Sequence, residues 1–443
     1  MIQKNKQPLK FLPKRGLEIS IIILFFNINI LKAETLNNFL SLEDSIKKAL
    51  ENNPKIKISA YENKAALYRI GQARAAYLPQ IDLSADYSKK NTSIQNANTF
   101  NPDNNFNSYN SSASLNQLIF DFWKTPLYIK IQRLKYDSYT ANLQNTINDV
   151  VYEVKQAYFE VLLALEENKV LKETINQYEQ QLAQAEAFYK VGTKAKIFVT
   201  SAQVNLSNAK LDLIKSENRI NQAIADLNNA MGLTDSPEYK LTDELKFYEY
   251  KVNFDKILNI AYENRPDLKA LLYENQAAKE NISYLKRNYF PELNASMNYG
   301  YSGREFPVDE NWSIGTNLKF NLFDGFSREY KIKEAKADFE KSKSTIIESK
   351  QNIYLELKQA YLNFVEMREK IPVSKLTLEQ AKENYDIAKG RYEVGVGNPI
   401  EVKDAELSYR NAAFTYIETL RDYNLSIAEL EKYKGGFLIN HHE

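Results

Sequence analysis

Apolar side chains recur at alternating intervals of three and four residues along two long parts of the chain. In the first part the pattern runs over residues 171–189, breaks at a short turn and resumes over residues 202–227; in the second it runs over residues 402–430. An average spacing of 3.5 residues is typical of helices that pack together as coiled coils. Each part is therefore predicted to form a long helical hairpin.

The first helix of the first hairpin is predicted to be very long. Pro126 suits the first turn of a helix, and no residue from there to Lys190 is expected to interrupt it. At 1.5 Å per residue, a helix of this length reaches about 100 Å. The matching helix of the second hairpin contains Pro372, which removes one backbone hydrogen bond and is expected to bend that helix locally.

Four short segments alternate between apolar and polar positions, which is the period of a half-buried β-strand. Each is about ten residues long, the length of a tilted strand that crosses a membrane. The polar segments 89–111 and 302–311 are predicted to be exposed loops between paired strands. The mostly apolar face is formed by Ile81, Leu83, Ala85 and Tyr87, by Ala113, Leu115, Gln117 and Ile119, by Leu293, Ala295, Met297 and Tyr299, and by Trp312, Ile314, Thr316, Leu318 and Phe320.

The chain contains an internal duplication. Two blocks recur at an offset of 212 residues and three more, in the same order, at an offset of 203. We expect a signal peptide at 1–33, a first repeat at 34–231, a connecting segment at 232–253, a second repeat at 254–435 and a tail at 436–443. The matching blocks begin at Ala49 and Ala261, Tyr77 and Tyr289, Phe120 and Phe323, Lys155 and Lys358, and Tyr189 and Tyr392.

Composition limits both the number of turns and the available chemistry. With 13 Gly and 12 Pro in 443 residues, long elements are expected rather than about three compact domains. The 58 Lys and Arg nearly balance the 57 Asp and Glu, which argues against nucleic-acid binding. The chain has no Cys, and its two His are His441 and His442, so no His-based catalytic centre, metal site or cofactor is expected.

The N-terminus has the parts of an export signal. Basic residues precede an apolar stretch that runs to Leu31, and Ala33 offers a small residue for cleavage. Because the apolar stretch is too short to span a membrane comfortably, residues 1–33 are predicted to be cleaved, with an uncleaved anchor as the alternative. The basic residues are Lys4, Lys6, Lys10, Lys14 and Arg15.

The four strands cannot complete a membrane structure within one chain, because an open sheet leaves unsatisfied edges in hydrocarbon. Two chains would give eight strands, whereas three would give twelve and leave room for a lumen. The expected fold class is thus mainly α with a membrane β-barrel, and a conduit favours the trimer. Six aromatic residues where strands meet helices are predicted to form a girdle at the membrane interface or, alternatively, to pack the barrel against the coils: Phe120, Phe122, Trp123, Phe320, Phe323 and Phe326.

These features together resemble the TolC family of outer-membrane efflux proteins. The resemblance covers nearly all of residues 40–435 and includes the opening motif Ser41–Pro54, Tyr77-Leu78-Pro79 before the first strand, Phe120-Asp121 after the second and a Tyr-x-Val-Gly turn in both halves. It implies a homotrimer in the outer membrane of a Gram-negative bacterium, with a twelve-stranded barrel above a periplasmic α-barrel tunnel. It also implies contact with outer-membrane lipid and docking to a periplasmic adaptor (membrane-fusion) protein and an inner-membrane pump of the RND, ABC or MFS class.

The resemblance places adaptor docking at the two hairpin tips. These are Val191-Gly192-Thr193 in the first half and Val394-Gly395-Val396-Gly397, with Tyr392 just before it, in the second. Glycine permits the positive φ of a tight turn, so turn geometry alone is the alternative explanation of the motif. Some members of the family lock neighbouring coils with an Arg and an Asp, and this chain has Gly397 and Phe198 at those positions.

The resemblance also places a ring of acidic residues at the periplasmic entrance, here formed by Glu401 and Asp404. Being three residues apart, they share one helix face. Three copies would concentrate six carboxylates around one constriction and favour cations. An ordinary solvated helix face is the alternative.

The chain is therefore predicted to be the passive outer-membrane channel of a tripartite efflux pump or a type I secretion system, and no enzyme. An exported structural coiled-coil or surface protein without transport activity is the alternative, although such a protein has no need of four strands of membrane-crossing length. Asp and Glu pairs are too numerous to mark a catalytic centre. With 4 Met, 2 His and no Cys, nothing points to a soft metal as substrate, and the exported substrate stays open.

Overall fold

The computed structural model describes residues 39–91, 105–234 and 239–436, together with the backbone of residues 95–96 and 99–100. The predicted signal peptide at 1–33 and the predicted tail beyond Gly436 lie outside the described residues. Within the described ranges, no helix has an apolar stretch long enough to cross a membrane.

Helices account for most of the described chain, and four of them are long. Helices α3 and α7 each contain 67 residues, and α4 and α8 contain 36 and 35. A 3₁₀ turn, Arg287–Tyr289, follows α6. The α-helices are α1 (Leu42–Asn52), α2 (Pro54–Ala75), α3 (Lys124–Lys190), α4 (Lys196–Met231), α5 (Phe254–Asn264), α6 (Pro266–Lys286), α7 (Ser327–Glu393) and α8 (Pro399–Tyr433).

The strands form one four-stranded antiparallel sheet and two short pairs. The large sheet has the order β2-β5-β7-β8, β1 pairs in parallel with β6, and β3 pairs with β4. The strands are β1 (Phe39–Leu40), β2 (Gln80–Asn91), β3 (Gln95–Asn96), β4 (Thr99–Phe100), β5 (Asn105–Phe120), β6 (Lys240–Leu241), β7 (Glu292–Gly303) and β8 (Asp309–Lys319).

Both predicted helical hairpins are confirmed. Helix α3 packs along α4, and α7 along α8, with a turn of five residues at each tip. Helix α7 continues through Pro372 without ending, and the bend expected there stays a prediction. The hydroxyl of Ser374 donates to the carbonyl of Ile371 at 3.1 Å beside this proline.

The register of the large sheet separates an apolar face from a polar one. Leu83 lies opposite Ala113, which lies opposite Tyr299, and Tyr299 lies opposite Trp312. Because successive side chains alternate between faces, the next row is polar. It contains Asp82, Ser114, Asn298 and Ser313.

The strands are longer than the period-two pattern predicted. Strand β5 begins at Asn105, inside the segment predicted as a loop, and only residues 304–308 separate β7 from β8. The added positions of β5 are mostly Asn and Ser and carry no apolar alternation, but they pair with β2 up to Asn91. Backbone pairing therefore extends the strands beyond their apolar part.

Two equivalent cores lie where the short helices meet the long ones. In the first, Tyr158 is fully buried, and its hydroxyl donates to the carboxylate of Asp243 at 2.6 Å. In the second, the buried Tyr423 donates to the carbonyl of Tyr248 at 2.7 Å. Both acceptors belong to the segment that joins the halves, so this segment is fixed against both cores.

Candidate functional site

The first hairpin tip is closed by a glycine in a left-handed conformation. Helix α3 ends at Lys190, and Gly192 has φ +76°. The carbonyl of Phe188 accepts the amide of Thr193 at 3.0 Å and its hydroxyl at 2.9 Å. These bonds satisfy a carbonyl that the helix end leaves free.

The second tip uses its two glycines for different reasons. Gly395 has φ +82°, whereas Gly397 does not have a positive φ. A Cβ on Gly397 would lie 2.7 Å from the backbone nitrogen of Tyr392, so no side chain fits there. The carbonyl of Arg391 accepts the amide of Gly397 at 2.9 Å, which holds this close approach in place. Gly192 and Gly395 thus have the left-handed backbone conformation expected of glycine. At Gly397 glycine is needed instead because the backbone of Tyr392 lies too close for a side chain.

Three valines project from the tips. Val191, Val394 and Val396 each leave more than two thirds of their surface exposed, at 71%, 75% and 71%. The tips thus expose apolar side chains on turns that backbone hydrogen bonds hold.

Tyr392 has a different environment from the other predicted docking residues. Its side chain is only 6% exposed and packs edge-on against Phe188 of α3, with 6.1 Å between ring centroids. The tyrosine therefore joins the two hairpins within one chain, and its ring is not part of the exposed tip surface.

The side chain of Lys194 lies beside two aromatic rings at the tips. The ammonium group of Lys194 lies 5.5 Å from the ring centroid of Phe198 and 5.7 Å from that of Tyr392. A groove of about 300 Å³ opens beside these rings, between the first turns of α4 and α8. Sequence reasoning named Phe198 but missed Lys194, since nothing in the repeat pattern marks this lysine.

Glu401 and Asp404 lie in the first turns of α8, and both are exposed. Within the described ranges, neither carboxylate has a Lys or Arg nitrogen within 4 Å, although many other acidic residues of the helices do. No group of three or more His, Cys, Asp or Glu in the described part of the chain could hold a metal ion. These two acids thus keep their charge available to solvent.

A buried polar pair that the sequence did not reveal lies just above the tips. The carboxylate of Glu406 is fully buried, and one of its oxygens accepts a hydrogen bond from the hydroxyl of Tyr178 on α3. Its other oxygen has no hydrogen-bond partner among the described residues. Burial raises the pKa of Glu406, and burial together with the nearby Glu406 raises the pKa of Tyr385 to about 12.

We expect Glu406 to make stability depend on pH. Its folded pKa lies above the ordinary value of 4.5, so its contribution to stability is fully present below that pH and is lost as pH rises through the folded pKa. Glu406→Gln keeps an acceptor for Tyr178 and removes the buried charge, so thermal unfolding midpoints should decline less between about pH 4.5 and pH 7 than in the wild type. Tyr178→Phe should instead destabilise the protein by about 1–3 kcal/mol at neutral pH. Parallel pH profiles for wild type and Glu406→Gln would contradict this assignment.

The predicted girdle residues form two ring clusters at the ends of the strands. Phe120 lies 4.8 Å from Phe122 and 5.4 Å from Trp123, and Phe323 lies 5.5 Å from Phe326, measured between ring centroids. Phe320 is half exposed. These positions fit an interfacial girdle, and the contacts within each cluster also serve packing.

The Phe-Asp motif of each half has a capping role. Asp121 accepts the amide of Thr125 at 2.7 Å, and its counterpart Asp324 accepts the amide of Arg328 at 3.2 Å. The residues directly before the helices, Trp123 and Phe326, have φ values of +66° and +67°. Each aspartate thus satisfies a free amide of the helix that follows a sharp backbone turn.

Comparisons with known proteins agree with this architecture. A family model described as outer membrane efflux protein matches residues 45–233 and 257–436. Outer membrane protein TolC of Salmonella enteritidis is 24% identical over 411 residues, which is 86% of this chain and 81% of the relative. Alkaline protease secretion protein AprF of Pseudomonas aeruginosa is 23% identical over 411 residues, or 89% of this chain and 84% of the relative. The crystal structure of the CmeC outer membrane channel of Campylobacter jejuni has 18% identity and a TM-score of 0.79, and the match covers 89% of this chain and 85% of that one.

Proposed function

This chain belongs to the outer membrane efflux protein family, and we propose that three copies of it form a passive channel across the outer membrane that continues into the periplasm as a helical tunnel. The observation that carries the proposal is an open, four-stranded sheet with one apolar face, joined directly to two long helical hairpins. In this arrangement residues 1–33 direct export, and residues 34–231 and 254–435 form the two repeats.

The sheet itself argues for assembly. Strands β2 and β8 lie at its edges, and each has one row of backbone groups that no strand of the described chain pairs. In hydrocarbon these groups need partners, so the edges must join those of other copies. Three copies supply twelve strands, enough for an open lumen, whereas eight strands are filled by their own side chains.

Purified protein should therefore have the mass of three chains in detergent and conduct ions in planar bilayers. A dimer, or a trimer that never conducts, would contradict the proposed channel. Heating should shift the protein to the monomer position on a gel, because a closed barrel opens only on unfolding. A coiled-coil surface protein would instead give elongated oligomers without conductance.

We propose that the channel receives its cargo through a periplasmic adaptor and an inner-membrane pump of the RND, ABC or MFS class. The similarity to an alkaline protease secretion protein and to the outer membrane protein of a solvent efflux pump supports both a secretion and an efflux setting. The proposed docking surface consists of the exposed tips, Val191-Gly192-Thr193 and Val394-Gly395-Val396-Gly397. Their turns are held by backbone hydrogen bonds and expose three valines, and one tip lies in each half of the duplication.

We also propose that Glu401 and Asp404 form an acidic ring at the periplasmic entrance. Both lie within two turns of the tip, are exposed and have no cationic partner within 4 Å in the described chain. Around a three-fold axis they would supply six carboxylates to one narrow opening, which attracts cations and repels anions.

A further inference from the structure

A chain of aromatic contacts links the apolar face of the sheet to a cation. The register between β5 and β7 shifts between Leu118 and Phe120, so Ile119, which was expected on the apolar face, has no partner there. Phe120 instead lies opposite Leu293, and its ring continues the apolar face at the helix end of the sheet. Phe120 lies 4.8 Å from Phe122, and Phe122 stacks on Phe290 at 5.1 Å. The face therefore extends beyond the strands through three phenylalanine rings.

Arg287 lies at the end of this series of rings. Its guanidinium carbon is 5.7 Å from the centroid of Phe290, and Lys286 precedes it with an exposed side chain. Among the described residues, neither cation has a carboxylate within 4 Å. Two neighbouring positive charges thus lie uncompensated directly beyond an apolar surface.

The acidic residues nearby are already engaged. Glu292 accepts the ammonium group of Lys124 at 2.6 Å, Asp121 is buried and caps α3, and Asp324 accepts the guanidinium of Arg328 at 2.9 Å. Arg328 further donates to two backbone carbonyls, at 3.0 Å and 3.2 Å. Arg328 and Lys124 are therefore structural, whereas Arg287 and Lys286 are free for an external anion.

The position of these cations selects the anion. The strands join helices α2, α3, α6 and α7 at this end of the sheet, so it faces the periplasm if the protein stands in the membrane as proposed above. A surface that is apolar up to a boundary and positive just beyond it matches a phospholipid whose phosphate lies at the boundary. Arginine suits this task because its planar fork binds two phosphate oxygens at once.

We propose that Arg287 and Lys286 bind the phosphate of an anionic phospholipid in the periplasmic leaflet, while the rings of Phe120, Phe122 and Phe290 contact its acyl chains. The bound lipid would continue the apolar face of the sheet down to the first turns of the helices. This inference rests on the proposed membrane position, but the lipid preference is measured separately from channel activity.

The test uses the intact protein in nanodiscs that contain equal amounts of phosphatidylglycerol and phosphatidylethanolamine. Native mass spectrometry counts the lipids that the released trimer retains. We expect the wild type to retain phosphatidylglycerol preferentially, and Lys286→Gln with Arg287→Gln to retain about tenfold less of it, with phosphatidylethanolamine unchanged. Arg287→Lys should keep most of the preference.

Arg368→Gln is the control, because the guanidinium carbon of Arg368 also lies near a phenylalanine ring, 5.8 Å from the centroid of Phe364, but on α7 about 60 Å along the helix from the sheet. It should retain phosphatidylglycerol as the wild type does. Conductance of the same samples reports whether the channel itself is intact.

The proposal is wrong if the double variant retains as much phosphatidylglycerol as the wild type, or if it loses phosphatidylglycerol and phosphatidylethanolamine equally. It is also wrong if excess inorganic phosphate releases the bound lipid from the wild type. Such release would indicate a site for a free anion. If the double variant fails to assemble, a salt titration of the wild type decides instead. Raised ionic strength should remove the preference for phosphatidylglycerol, and a preference that persists would contradict the role of the two cations.

Discussion

A chain carrying Gly192→Leu and Gly395→Leu is expected to assemble into trimers and to lose export. Both glycines have left-handed backbone conformations, with φ of +76° and +82°, and no atom lies within 4 Å of the position of an added Cβ. The substitution therefore meets no steric clash but costs about 1–2 kcal/mol per turn in backbone strain. This strain distorts the tip locally, while the cores around Tyr158 and Tyr423 hold the rest of the chain.

Export is measured in the native organism as the amount of dye or secreted protein that the cells release. Assembly is measured as the amount of oligomer on an unheated gel. Gly390→Ala is the matched control, since Gly390 lies inside α7 near the same tip with open space around it. It should leave export unchanged and stabilise the helix slightly, by about 0.5–1 kcal/mol. Normal export by the double variant would refute docking through the tips.

Gly397→Ala distinguishes the two roles of glycine at the second tip. A single methyl group there would lie 2.7 Å from the nitrogen of Tyr392, so even alanine must open the turn. At Gly395 alanine has room and meets only backbone strain. We therefore expect Gly397→Ala to impair export more than Gly395→Ala, which is the reverse of what a requirement for positive φ alone predicts.

The helices and the sheet were predictable because each follows from a local period. The heptads gave both hairpins, the alternation from Ile81 to Tyr87 gave the position of β2, and the duplication placed the same elements in the second half. The strand ends were not predictable. Asn105 and its neighbours join β5 through backbone pairing with β2, and their side chains carry no sign of it.

The candidate site was only partly predictable, because its burial depends on contacts between distant parts of the chain. Glu406 follows the heptad position Ala405 and would be solvent-exposed on an isolated hairpin. It is buried because α3 packs on α8. This packing brings the hydroxyl of Tyr178 to the carboxylate of Glu406, although the two residues are 228 positions apart in the sequence. Tyr392 is buried for the same reason, by Phe188 of the other hairpin. The spacing of apolar residues along one helix does not show which other helix packs against a given position.

Removing the acidic pair is expected to change which ions the channel conducts. In bilayers at about 0.1 M salt, Glu401→Ala with Asp404→Ala should lower the ratio of cation to anion permeability by a factor of about three to ten. The carboxylates are exposed and have no cationic partner within 4 Å in the described chain, so their loss leaves no buried charge uncompensated. Assembly should therefore be unaffected.

The size of the change depends on where the carboxylates lie in the assembled channel. Fixed charges control the passing ions only within about a Debye length, which is about 10 Å at 0.1 M salt, so carboxylates that line a constriction dominate selectivity and distant ones do not. Glu51→Ala with Glu62→Ala removes the same charge from exposed positions of α1 and α2 and should leave the permeability ratio unchanged. Raising the salt to about 1 M should reduce the difference between wild type and the Glu401/Asp404 variant, because the Debye length falls to about 3 Å. If the Glu401/Asp404 variant and the Glu51/Glu62 control have the same permeability ratio at low salt, Glu401 and Asp404 lie on an ordinary solvated helix face.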